Sequence, residues 1–276
     1  MAPASPVPTE DSARDCASGD RGPGAGSRWR RELQPLGLAD PLRWLARGAR
    51  DLRAAPLHSL FFGVCFWAMA LMLGAVFRNL PEYTLSFISG CFLVGPFLAM
   101  GLYEISRRHE AGQPQSLGDA LTCWSSNLGS MGLLVLLMLL LELLWGRASL
   151  VVFAVFFDTG MPSTASVLQA IFNPRNWEFV AAYLAVGGVF AGLVFASCAL
   201  SIPMILDRDT DAITAALGSM EAVSQRPAAL LTWGALILVL VLGAMWLPWA
   251  LGIVLVGPWL GHATWHAYRG CFDWVE

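Results

Sequence analysis

The 276-residue chain is 56% hydrophobic and only 13% charged, with a mean hydropathy of +0.58 and a formal net charge of -3. Soluble domains carry about 25% charged residues, so the polar groups that would cover a water-facing surface of this size are missing and a soluble globular fold is excluded. All 17 basic residues are arginine; they flank apolar segments instead of forming one basic face with aromatic platforms, which argues against a nucleic-acid partner.

Residues 1–35 are rich in Pro, Gly, Ser, Asp and Arg and contain no apolar run. This predicts a disordered cytoplasmic tail. It also lacks the apolar core of a cleavable signal, so the first hydrophobic segment is expected to stay in the membrane. Asp40 and Pro41 then suit the N-cap and first position of a helix. Leu42, Leu45, Ala49 and Leu52 fall on one face of it, and Arg43, Arg47, Arg50 and Arg53 lie largely off that face. Such a helix can lie in the membrane interface. Its arginines suit anionic lipid and equally satisfy the rule that basic residues stay cytoplasmic.

Six segments have the ~20 apolar residues needed to cross a bilayer: about residues 57–77, 85–103, 128–145, 179–206, 228–246 and 249–265. The last two are separated only by Leu247 and Pro248 and are expected to form a tight hairpin. Residues 148–157 are apolar but too short to span. They either prolong the third helix or lie in the outer interface. The expected fold class is therefore all-α: a polytopic membrane bundle of six helices in three hairpins, over residues 36–270, with short amphipathic interfacial helices and a short cytoplasmic tail at 271–276.

With six spans, 14 of the 17 arginines fall on the side of the termini, and only Arg78, Arg147 and Arg175 fall on the other. The richer side is expected to be cytoplasmic, which places the protein in a bacterial inner membrane with both termini inside. Trp44, Trp124 and Trp265 are expected to mark the inner rim, and Trp145, Trp177, Trp246 and Trp249 the outer.

An internal repeat runs through these segments. Leu93-Val-Gly-Pro-Phe-Leu98 returns as Leu255-Val-Gly-Pro-Trp-Leu260, and an arginine follows each proline at the same distance, Arg107 and Arg269. Asp40 precedes Pro56 by the same interval as Asp211 precedes Pro227, and Asp119 marks a third, weaker opening. Ile213, Ala216, Met220 and Val223 repeat the apolar stripe of the first unit. Each unit reads as an interfacial helix followed by two spans, the second containing a proline (Pro96, Pro203 or Pro258), in a parallel repeat.

Ser201-Ile-Pro-Met-Ile-Leu-Asp-Arg-Asp209, the following Asp211-Ala-Ile, and the closing Gly261-His-Ala-Thr-Trp-His-Ala-Tyr-Arg269 together resemble the bacterial predicted integral membrane proteins of domain-of-unknown-function family 2189. The resemblance extends over nearly everything after Leu36. It implies a multi-pass inner-membrane protein and implies no activity.

Several residues are candidates for chemistry. His262 and His266 lie four apart on one helix face, a spacing that can grip a metal if a third ligand is supplied. Asp207, Asp209 and Asp211 of the preceding inner loop are the candidates for it, and a divalent metal is then the cofactor. The alternative is that both histidines bond backbone or headgroups at a helix end, with Asp211 capping a helix and no cofactor at all. Glu142, the one acid within a span, is a functional suspect or snorkels to water from near the outer boundary. Gly188, Gly192 and Ala196 form a small-residue row suited to helix packing. The six cysteines contain no Cys-x-x-Cys and read as small apolar filler.

No serine-hydrolase elbow, zinc-protease motif or phosphate-binding glycine loop occurs, so a non-catalytic role is expected: structural, assembly or lipid-interacting. The alternative is a permease for an apolar or lipid-like solute, and a third reading is metal binding at the cytoplasmic rim. Membrane lipids are the expected partners, together with a second copy of the chain or another membrane protein. A polar, water-accessible cavity at the prolines would favour transport, and a solid bundle would favour a scaffold.

Overall fold

The computed structural model describes residues 30–80, 83–157 and 173–275. The expected tail up to residue 29, with Cys16 in it, and the loop at 158–172 lie outside the described residues. The described helices lie in one compact unit within residues 33–273; of the other unit only residues 30–32, 274 and 275 are described. The end of the expected N-terminal tail and the expected C-terminal tail are not featureless: β1 (Arg30–Leu33) pairs with β2 (Phe272–Val275).

Among the described residues, all other elements of the 33–273 unit are helical, three of them short 3-10 turns. In chain order the α-helices are α1 (Asp40–Ala54), α2 (Pro56–Asn79), α3 (Thr84–Glu110), α4 (Leu117–Thr122), α5 (Leu128–Phe156), α6 (Trp177–Cys198), α7 (Ser201–Arg208), α8 (Ala212–Gln225), α9 (Pro227–Trp246) and α10 (Ile253–Cys271). Among the described residues, five stretches are long and apolar enough to cross a membrane: Pro56–Asn79, Ser86–Glu110, Leu117–Phe156, Trp177–Arg208 and Pro227–Trp246. The expected sixth span at 249–265 is not among them. Leu247 is extended, Trp249 and Ala250 take positive φ, and the helix starts only at Ile253. Its second half carries His262, Thr264, His266 and Arg269, which lower its hydropathy.

The apolar residues 148–157 prolong the third long helix, because α5 runs unbroken from Leu128 to Phe156. The fourth stretch is interrupted between Cys198 and Ser201, so Pro203 sits in the first turn of α7, where a missing N–H costs little. Pro96 and Pro258 are inside α3 and α10 as expected.

Helix starts follow local chemistry with two corrections. Asp211 caps α8, its Oδ1 accepting from the Thr214 N–H at 2.9 Å. Asp40 is instead the first residue of α1, and its carboxylate accepts from Gly37 N–H at 2.7 Å and from Arg43 at 2.8 Å. Ser116, not Asp119, caps α4. Both α1 and α8 end against a proline, which disfavours helix at the residue before it. The linking residues Ala55 (φ -131°, ψ 59°) and Arg226 (φ -127°, ψ 51°) take nearly the same conformation.

The buried faces of α1 and α8 are not the expected stripes. α1 buries Pro41, Trp44, Leu45, Gly48 and Asp51 and leaves Leu42 exposed; α8 buries Ala212, Ala215, Ala216, Gly218, Ser219 and Ala222 and leaves Ile213 and Met220 exposed. On α8 small residues face protein and large ones face outward, the arrangement expected where lipid, not water, is the alternative solvent. The tryptophans divide likewise. Trp177, Trp246 and Trp249 are exposed as a belt requires, but Trp44 and Trp265 are buried, Trp44 edge-on to Trp233 at 5.8 Å.

Candidate functional site: a histidine and carboxylate network at the arginine-rich end

The closing helix α10 packs on α1, α2 and α3. Gly48 makes the first of these contacts possible: a Cβ there would lie 2.6 Å from the Ala263 backbone nitrogen. The close approach seats α1 across the polar half of α10. Trp259 Nε1 then donates to the Leu45 carbonyl at 2.8 Å.

His262, His266 and Arg269 follow at i, i+4 and i+7 and share a face. Together they reach three other helices, α1, α2 and α3. His266 Nε2 donates to Asp51 Oδ2 of α1 at 2.8 Å, and His109 Nδ1 of α3 donates to the other carboxylate oxygen at 2.8 Å. These directions follow because a carboxylate only accepts. Arg269 Nε donates to Glu110 Oε1 at 3.2 Å, and Trp265 Nε1 donates to Glu110 Oε2 at 3.0 Å.

His262 is fully buried between two serines, with Nε2 2.8 Å from Ser59 Oγ and Nδ1 2.8 Å from Ser106 Oγ. The Ser59 hydroxyl also donates to the Ala55 carbonyl at 2.8 Å. A hydroxyl has one proton, so Nε2 is the donor to Ser59. Asp51 is buried. Burial alone would push its carboxyl up, but the hydrogen bonds led by that from His266, with the charge of His266, hold it below its ordinary value.

The expected ligand set of His262, His266, Asp207, Asp209 and Asp211 is not assembled. Both His262 nitrogens are taken by serines, and His266 bonds Asp51. Asp207 accepts from Tyr268 Oη at 2.8 Å and from Arg208 at 3.2 Å. Asp209 terminates α7 at φ 48°, and Asp211 is a cap whose bonds to Thr214 hold its carboxyl below the ordinary value. Among the described residues no group of three His, Cys, Asp or Glu is arranged to hold a metal ion.

Asp51, His109, Ser59 and Ser106 escaped notice in the sequence. Asp51 had one legible signal, since it stands among four arginines on the opposite side of α1. The serines had none.

Beside the network the surface opens into two polar recesses. One, of about 290 Å³, is lined by Arg47, Arg50, Asp51, His109, Glu110 and His266. The other, of about 470 Å³, is bordered by Arg43, Trp44, Arg47 and Arg269. Arg43 pairs with Asp40 and Arg269 with Glu110. Arg47 and Arg50 are exposed and have no acid partner among the described residues.

Glu142 does not snorkel. It is midway along α5, 7% exposed, and its Oε2 accepts from Ser89 Oγ of α3 at 2.7 Å. A Cβ at Gly188 or Gly192 would meet nothing within 4 Å among the described residues, whereas one at neighbouring Gly187 would lie 3.1 Å from Trp145.

Long apolar helices, lipid-facing leucines and a polar network confined to one end define a multi-pass helical membrane protein. Residues 83–207 match the model of the family described as predicted integral membrane protein (DUF2189). The matched part covers α3 to α7. It is shorter than the resemblance read from the sequence and leaves the histidine motif of α10 outside it. No curated protein and no solved structure matches the chain.

Proposed function

We propose that this is a non-catalytic, lipid-interacting protein of the bacterial inner membrane whose arginine-rich end faces the cytoplasm and holds anionic headgroups. The observation that carries the reading is the pair Arg47 and Arg50, exposed, without acid partners among the described residues, and flanking a recess whose floor is fixed by Asp51, His109 and His266. A guanidinium presents its donors in a fork that matches a phosphate, and anionic lipid attracts basic residues at the membrane surface by about 1 kcal/mol each. The buried acid holds the histidines in place and leaves the arginines available to a headgroup.

In this reading α10 is a sixth span, the helices form three hairpins, and the unit beginning at α1 recurs at α4 and α8. The matched breaks at Ala55 and Arg226 support the repeat. A structural role is favoured over a permease at the prolines: Pro258 is buried against α2 near Gly63, a position where any Cβ would collide with the Val254 carbonyl and the ring of Pro258. That surrounding is packed, not wet.

The test is native mass spectrometry of the protein released from nanodiscs containing phosphatidylglycerol and phosphatidylcholine. Retained phosphatidylglycerol is expected for the wild type and should fall at least about tenfold in Arg47→Ala/Arg50→Ala. Equal retention of both lipids would overturn the reading. Reporter fusions after Glu276 and between residues 107 and 115 are expected to report cytoplasm. A fusion at 158–163 is expected to report the opposite side.

A further inference from the structure

Away from the arginine-rich end, α3, α5 and α6 border an open crevice of about 560 Å³. Its walls are apolar and rich in rings, among them Phe92, Trp145, Phe190 and Phe195. Glu142 is the one ionisable side chain in the lining, and its carboxyl is more than nine-tenths buried. Ser89 satisfies Oε2, while Oε1 is buried with no hydrogen-bond partner among the described residues.

A carboxylate in an apolar interior with an unpaired oxygen is costly, and acids within spans mark ligand or ion paths. The crevice has the size of a small-molecule site, apolar with one placed polar group. Its chemistry selects the occupant. The free oxygen calls for a hydrogen-bond donor, the negative charge for a cation, and the aromatic walls for an apolar body whose charge can also lie against a ring.

We propose that this crevice binds a lipophilic amine, protonated, with the Glu142 carboxyl turned so that Oε1 accepts from its ammonium, and with its hydrocarbon part among Phe92, Trp145 and Phe190. Glu142 acts as counter-ion. A neutral molecule of the same shape fills the walls but leaves the carboxylate uncompensated, and a fatty acid brings a second negative charge to it. This site is separate from the headgroup recess and stands or falls independently of it.

The experiment is equilibrium dialysis of 1-naphthylmethylamine and of its neutral counterpart 1-naphthylmethanol against the full-length protein in nanodiscs, with empty discs subtracted. Saturable binding of the amine is expected, about tenfold or more tighter than the alcohol. Glu142→Gln should bring the amine to the alcohol's affinity and leave the alcohol unchanged, and Ala191→Phe, which fills the crevice, should weaken both. Equal affinities in the wild type, absence of saturable amine binding, or an amine preference that survives in Glu142→Gln would each overturn the proposal. Should Glu142→Gln fail to fold, the amine-to-alcohol ratio of the wild type still decides.

Discussion

The helices α10 and α5 are built on opposite plans. α10 is the more polar, with two histidines, a threonine and an arginine, yet it buries His262, Thr264, Trp265, Ala267, Tyr268 and Cys271 against its neighbours. α5 is nearly continuous leucine and turns Leu133, Leu136, Leu140, Leu143 and Leu144 outward. In water the assignment would be reversed. In lipid the hydrocarbon is as apolar as leucine, so nothing drives the leucines inside. What is driven inside is hydrogen-bonding capacity, because a polar group facing hydrocarbon has no partner there. Of these two helices, the more polar therefore becomes a hub of the bundle and the more apolar one a lipid-facing wall.

The strongest way to break this arrangement is to separate α10 from α1. In Gly48→Leu, the new side chain would begin 2.6 Å from the Ala263 nitrogen, against backbone that has no room to yield. Overpacking costs about 1–3 kcal/mol where side chains give way, and here the upper end or more is expected. It should appear as a large drop in the thermal unfolding midpoint of the purified protein. Gly188→Leu on α6 adds the same side chain where nothing lies nearby and should leave the midpoint unchanged. Equal effects would mean that α1 does not depend on the Gly48 contact.

Next in size is the carboxylate that α10 shares with α1 and α3. In Asp51→Asn the amide can accept from one histidine but offers an N–H to the other, so either the partly buried His266 or the exposed His109 loses its acceptor. The expected loss is about 1–3 kcal/mol. The same group sets an acid limb. Because the folded carboxyl titrates below its ordinary value, its contribution is complete above about pH 4 and is lost as pH falls through the lower, folded value. The gap in unfolding midpoint between wild type and Asp51→Asn should accordingly narrow in acid. A gap that is constant from neutral to strongly acid pH would show that Asp51 acts by shape alone.

The contrast between these helices also explains what could be read from the chain. Span number and position depend on hydropathy over ~20 residues, and the first five segments were legible for that reason. So were the helices at 40–54 and 212–225, from the aspartates and prolines that bound them. Which face of α1 or α8 is buried was not legible, because the periodicity argument assumes water: the stripe Leu42, Leu45, Ala49, Leu52 looks like a core face, whereas the contacts are made by Trp44, Gly48 and Asp51. The histidine pair was visible, and its partners were not. Asp207 to Asp211 are near in sequence and were the natural guess, but the acid that reaches His266 is 215 positions away on α1. Glu142 looks close to an outer boundary because the sequence leaves open whether residues 148–157 prolong the third helix; they do, and the helix to Phe156 puts it midway along α5.

The smallest effect is the most direct measure of the solvent. Leu134 and Leu143 lie on the same helix, the first 1% exposed and the second 63%. Leu134→Ala opens a cavity among packed neighbours and should cost about 2–5 kcal/mol. Leu143→Ala removes the same atoms from a face that meets lipid in the folded state and in any state where α5 is still inserted but detached. The transfer free energy then cancels, and only the small helix-propensity preference for alanine is left, a few tenths of a kcal/mol in favour of the variant. Unfolding of both variants in bicelles should therefore separate them widely, with Leu143→Ala within error of the wild type. A substantial loss from Leu143→Ala would show that this face is covered by protein, as it would be if a second copy of the chain packed on α5, and would move the leucine wall from lipid contact to interface.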